Sequence, residues 1–328
     1  MDYAYQYSDR FDCSRGTTVV TILALAAALL YGTADFLGGV ASRRASVFTV
    51  LALTVPAGAV VMVAVALLGE APALGGLLGH GGLGAPTSIG SWSAAGWAAV
   101  SGVCGAFGLI AFYAGFATAP ISVVAPVAAL VSAVLPVGVA VAEGERPQAL
   151  VIAGGLLCLI AIVLVSAQPA APGTDQEGEG RRGKGRPAAS GRLLALGYGV
   201  AAGAGFGLFF ICLKNAGQSG VLWPVAISRS AGTVVALGIA LATGTRLWPR
   251  RGAGVAGIAL VSGVIDAAAN VCYVLATRAG LFGLAVVITS LYPGVTVLLA
   301  RLLLGERMRW LQRAGLLLAA AGVVLVTA

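Results

Sequence analysis

Five polar residues in the stretch VSGVIDAAANVCYVLATR recur at intervals of four, four, three and four: Ser262, Asp266, Asn270, Tyr273 and Thr277. At helical spacing they share one face. A carboxylate, a carboxamide, a phenol and two hydroxyls then form one line along an otherwise apolar helix. Such a line can hold a polar solute, pass a proton, or bond only to other helices. Asp266 sharpens the question. The apolar run around it starts at about Gly254, and the next charge is Arg278. A carboxylate at the middle of a membrane-crossing helix costs about 2.5–3.5 kcal/mol even on the lenient insertion scale, so it is a functional candidate by default. It can exchange a proton, bind a cationic group, or pair with a cation of the protein. If it carries a proton, Asp266→Asn should fold normally and lose coupling to a pH gradient.

Further candidates lie in three other apolar runs. Arg229, in WPVAISRSAGTVV, can reach a span end, pair with Asp266, or grip an anionic group with its planar fork. Tyr31 and Asp35, in LLYGTADFLGG, are one turn apart and line either a cavity or an interface. TSLYPG places Tyr292 beside Pro293, a residue that removes a backbone donor and breaks or kinks a helix. Broken helices line transporter sites, although a plain proline kink is the alternative, as at Pro126 and Pro136.

The elements that carry these residues follow from composition. Of 328 residues, 59% are hydrophobic and 10% charged, against about 25% charged in soluble domains. The chain is therefore an all-α integral membrane protein. Ten spans are predicted, at roughly 18–40, 47–69, 94–116, 120–142, 148–167, 193–213, 220–243, 254–276, 281–303 and 310–327. Residues 1–17 form an N-terminal tail that lacks the basic start of a signal peptide. Residues 168–192 form a flexible polar linker, rich in Pro, Gly and charge, whose sequence should matter less than its reach. Two five-helix units result, 18–167 and 193–328.

The units repeat. Ser101-Gly102-Val103 matches Ser262-Gly263-Val264, and Gly144-Glu145-Arg146 stands 161 residues before Gly305-Glu306-Arg307. An odd number of spans per unit places the two units in opposite orientations across the bilayer, the inverted repeat of many transporters, with the solute site at their junction. Glu145 and Glu306 read as helix-start carboxylates beside a local arginine partner. With two such five-helix units, and with SLYPGVTVLLARLLLGERMRWLQRAGLLLAAAGVVLV closing the second, the chain resembles the EamA-type transporters of the drug/metabolite transporter superfamily. The resemblance implies secondary export or exchange of small metabolites without ATP hydrolysis. The first unit departs from it, because Pro136 precedes Gly144 by eight residues whereas Pro293 precedes Gly305 by twelve.

Other classes fit poorly. The only histidine, His80, lies in a loop, so neither a histidine triad nor a histidine metal site is expected. The cysteines, Cys13, Cys104, Cys158, Cys212 and Cys272, lack metal spacing and read as packing residues. No cofactor is expected. The basic cluster of residues 181–192 has no aromatic platform for nucleic acid, and suits topology or lipid headgroups. The expected function is a secondary transporter of small polar or amphipathic metabolites, such as amino acids, in the cell membrane. Its partners are the small-molecule substrate and the lipid bilayer. Proton coupling through Asp266 is one version. A passive pore is the alternative, and a polytopic membrane enzyme a more distant one. Asp266, Asn270, Tyr273, Arg229 and Tyr292 are the leading site residues, with Asp35 and Tyr31 behind them and Pro293 as the helix break. Loops after odd-numbered spans hold thirteen Lys and Arg and the opposite side five. That count places both termini outside, whereas the resemblance implies the cytoplasm. An even number of spans requires only that they share a side.

Overall fold

A computed structural model describes residues 2–42, 44–69, 92–118, 121–146, 148–166, 188–245, 247–248, 253–304 and 310–327. The loop with His80, most of the linker, and Glu306 and Arg307 lie outside the described residues. Eleven helices follow in order: α1 (Asp2–Ser42), α2 (Val47–Gly69), α3 (Trp92–Thr118), α4 (Ile121–Ala142), α5 (Ala149–Ser166), α6 (Ala188–Gly217), α7 (Leu222–Ala242), α8 (Ala253–Ala279), α9 (Phe282–Thr289), α10 (Tyr292–Leu304) and α11 (Trp310–Thr327). Helix is the expected form for such apolar runs, because hydrocarbon offers no partner for a free backbone N–H or C=O. Helix α1 extends back through the predicted tail, and α6 starts ahead of the predicted Leu193.

Among the described residues, seven segments are long and apolar enough to cross a membrane: Thr17–Ser42, Val47–Leu68, Ser93–Phe112, Leu193–Gly217, Leu222–Ala242, Ala253–Ala279 and Phe282–Leu304. Three shorter apolar helices, Val127–Ala142, Ala149–Leu164 and Trp310–Leu325, coincide with the predicted fourth, fifth and tenth spans.

The main helix pairings cross between the halves of the chain. Helix α1 packs on α8, α9 and α10, and α6 packs on α3 and α4. Helix α3 packs on α7, α8 on α2, α2 on α7, and α5 on α11. If α1 is exchanged for α6, α2 for α7, α3 for α8, α4 for α9 with α10, and α5 for α11, this pattern returns to itself. The repeated Ser-Gly pairs show why. Ser101 Oγ of α3 donates to the Phe209 carbonyl of α6 at 3.0 Å, and Ser262 Oγ of α8 donates to the Ala34 carbonyl of α1 at 2.8 Å. A Cβ at Gly102 would run into the Ser228 carbonyl of α7, and one at Gly263 into the Thr54 carbonyl of α2. Small residues at crossings let backbones approach, which is how helices associate where no hydrophobic force separates protein from lipid.

Glu145 corrects a sequence-based expectation. Its carboxylate does not settle on its own helix with Arg146 as partner. Oε1 accepts the Phe282 N–H at 2.6 Å and Oε2 the Gly283 N–H at 3.0 Å, so the first half caps the start of α9 in the second. Orphan N–H groups and a positive dipole end attract a carboxylate whichever segment supplies it. Beside it, Lys214 pairs with Glu143 and lies 4.8 Å above the Phe282 ring. Glu145→Ala should therefore cost about 1–2 kcal/mol. It should also speed amide exchange at residues 282–285, with little change elsewhere; unaltered exchange there would show that the cap contributes nothing.

Candidate functional site

The ionisable groups sit on the inner faces of their helices. On α8 the outer face is marked by exposed Leu260, Val261 and Val264. Asp266 lies two residues beyond Val264, about 200° around the helix. Ser262, Asn270, Tyr273 and Thr277 share its side, and all four are buried. On α1 the exposed residues Ile22 and Leu29 mark the outer face, and Tyr31 and Asp35 lie opposite, with buried Ala24 and Ala28. Asp35 is nonetheless exposed. The Asp35 carboxylate thus lies on the packed side of α1 without being covered by a neighbouring helix.

Arg229 of α7 and Asp266 of α8 form an ion pair, with side chains only 14% and 21% exposed. Of the alternatives open to Arg229, the structure realises the pair with Asp266. The rest of the stripe divides by role. Ser262 is committed to α1, as described above. Tyr273 Oη donates to the Phe210 carbonyl of α6 at 2.8 Å. Thr277 bonds back to Val274 in its own helix, and Asn270 Nδ2 donates to the Asp266 carbonyl at 2.6 Å. Most of the line therefore ties helices together or caps its own turn, leaving Asp266 as its charged member.

The apolar segment Phe282–Leu304 is interrupted just before Pro293. Helix α9 ends at Thr289 and α10 begins at Tyr292. Pro293 has no N–H to offer the Thr289 carbonyl, and the Gly294 N–H turns to the Leu291 carbonyl at 2.9 Å. The hydroxyls of Thr289 and Ser290, at the break, are buried without a hydrogen-bond partner. Tyr292 carries its ring from the break to Tyr31, with centroids 6.1 Å apart. Tyr31 also meets Phe210 edge-on at 6.3 Å, and Phe210 lies 4.8 Å from Tyr273. Tyr31 is within electrostatic reach of Arg229, and Asp35 of Tyr292. Tyr31, Asp35, Arg229, Asp266, Tyr273 and Tyr292 thus meet where α1, α7, α8 and the α9–α10 break converge. Asn270 borders this cluster through Asp266.

Sequence reasoning missed Phe210. It joins Tyr31 to Tyr273, and its carbonyl anchors the Tyr273 hydroxyl. A phenylalanine in an apolar helix carries no polarity contrast, so periodicity alone does not mark it. Its position opposite Ser101, through the neighbouring Phe209 carbonyl, is the signal that the repeat offers. Among the described residues no group of His, Cys, Asp and Glu is arranged to hold a metal.

Residues 191–328 match the model of the EamA-like transporter family, which belongs to the drug/metabolite transporter superfamily. No curated protein matches the chain. A solved structure, described only as the crystal structure of a protein, is similar over 93% of this chain and 94% of its own, with a TM-score of 0.68 and 18% identity. At that identity the likeness shows the fold alone.

Proposed function

From the match of residues 191–328 to the EamA-like transporter family, we propose that the chain is a secondary transporter of small polar or amphipathic metabolites. It works as an exporter or exchanger in the cell membrane. Its architecture in this reading is ten spans in two inverted five-helix units, 18–167 and 193–328, joined by the linker of 168–192. Exchange of the halves preserves the helix packing, and the equivalent Ser101 and Ser262 make equivalent bonds. Both observations support that architecture.

The observation that carries the functional reading is the convergence of inward-facing Asp35, Tyr31, Arg229, Asp266 and Tyr292 beside a broken helix. Placing three charged groups among spans is costly. A substrate site at a repeat junction, next to unwound backbone, gives that cost a use. The roles divide accordingly. Arg229 with Asp266 holds α7 against α8, Pro293 sets the break, and Asp35, Tyr31 and Tyr292 meet the solute. Asn270 and Tyr273 hold the α8 side of the site. No reaction step is proposed, so the chain is read as a carrier and not an enzyme.

Purified protein in vesicles preloaded with unlabelled metabolites should take up the same radiolabelled solute by counterflow, with saturation. Flux that rises linearly with concentration and ignores the internal solute would identify a pore instead. A complete lack of exchange across a broad metabolite panel would remove the transporter reading.

A further inference from the structure

The charge balance of the site narrows the substrate, on the premise that the chain is a transporter. Away from the ends of their helices, the described residues place three ionisable side chains within the spans: Asp35, Arg229 and Asp266. Arg229 and Asp266 neutralise each other. Asp35 makes no ion pair or hydrogen bond with another described residue, although it is exposed on the inner face of α1. Among the described residues the balance leaves one unmatched negative charge on the inner side of the spans and no unmatched positive one beside it.

The surroundings of that charge are aromatic. Tyr31, one turn before Asp35, is only 9% exposed, and its hydroxyl has no partner. The rings of Tyr292 and Phe210 stand 6.1 and 6.3 Å from that of Tyr31. Aromatic faces carry negative quadrupole density and attract ammonium groups, more strongly where water is scarce. A carboxylate one turn from Tyr31 and within electrostatic reach of Tyr292, with Phe210 behind Tyr31, suits an organic ammonium group with an apolar body. It suits a carboxylate-bearing solute less well, because the charge of the one guanidinium in the site is balanced by Asp266, although its buried Nε has no hydrogen-bond partner.

We propose that Asp35, Tyr31, Tyr292 and Phe210 form the recognition site for the ammonium group of a small amphipathic organic amine. The carboxylate supplies the charge, the rings supply the dry wall, and the hydroxyl of Tyr31 supplies a hydrogen-bond acceptor. Zwitterions and anions of the same shape are discriminated against because the cation of the site, Arg229, already has its charge balanced by Asp266.

Three probes with one ring and different charges test this: phenethylammonium, phenylalanine and phenylacetate, titrated calorimetrically into the full chain in lipid nanodiscs. The amine should bind at least tenfold more tightly than either of the others. Asp35→Asn should remove that preference, and Asp35→Glu should retain most of it. Equal binding of all three, preference for phenylacetate, or no binding of the amine would overturn the proposal. So would an Asp35→Asn protein that keeps the preference. If Asp35→Asn fails to fold, the three titrations on the unaltered protein still decide. Saturable counterflow of phenylalanine alone would defeat the amine site while leaving the transporter reading standing. Absence of saturable exchange for any solute would defeat the transporter reading itself.

Discussion

Replacing Asp266 by Asn is expected to destabilise the protein, not merely to uncouple it. The change keeps size and hydrogen-bonding capacity but leaves Arg229 charged and alone, 14% exposed, between helices. Removing one partner of a buried pair costs about 3–5 kcal/mol, because the remaining charge has lost both water and its counterion. The single variant should melt well below the parent and aggregate on size exclusion. Adding Arg229→Gln should recover most of the loss, since two neutral amides can bond where two charges did. This outcome replaces the sequence-based expectation of a stable, uncoupled variant, because of the alternatives open to Asp266 the structure holds the pair with Arg229. A single variant that melts with the parent would show that water reaches the pair freely. If the double variant folds but does not exchange solute, the pair also shapes the solute site.

A methyl group at Gly263 or Gly102 should have the next largest effect. Each Cβ would overlap a backbone carbonyl oxygen of a facing helix, Thr54 on α2 for Gly263 and Ser228 on α7 for Gly102. Backbone cannot swing aside as a flexible side chain can, so the helices must separate, at about 1–3 kcal/mol or more for overpacking. Gly39 and Gly257 are the controls, because nothing lies within 4 Å of a Cβ at either. Gly39→Ala and Gly257→Ala should melt at or slightly above the parent, given the roughly 1 kcal/mol helix advantage of Ala over Gly. Parental melting temperatures for both Gly263→Ala and Gly102→Ala would mean that the crossings are looser than described.

Much of this was legible in sequence because membranes simplify the problem. Long apolar runs must be helices, and the Ser-Gly repeat marked the two crossings that prove to be equivalent. The spacing of Ser262, Asp266, Asn270, Tyr273 and Thr277 correctly placed them on one face. What each does there was not legible. Ser262 and Tyr273 bond to carbonyls, and a carbonyl has no residue-type signature. Glu145 was read locally, but its acceptor role lies 137 residues away, at a helix end that only the tertiary fold brings near. Phe210 was silent for the reason that makes it useful, an apolar ring among apolar neighbours.

The bond between Ser262 and Ala34 joins residues 228 apart in the chain. At about 5–20 residues per second of synthesis, α1 is made roughly 10–45 s before the residue that will lock it exists. During that interval the inner face of α1, with Tyr31 and Asp35, has no α8, α9 or α10 to cover it. The half that carries the family signature is equally incomplete alone, because the first half supplies the helices that cover α6 and α8 and the carboxylate that caps α9. Biogenesis must therefore shelter an unfinished first half until the last helices arrive, and a ribosome stalled in the linker would leave in the bilayer a fragment whose packing faces are bare.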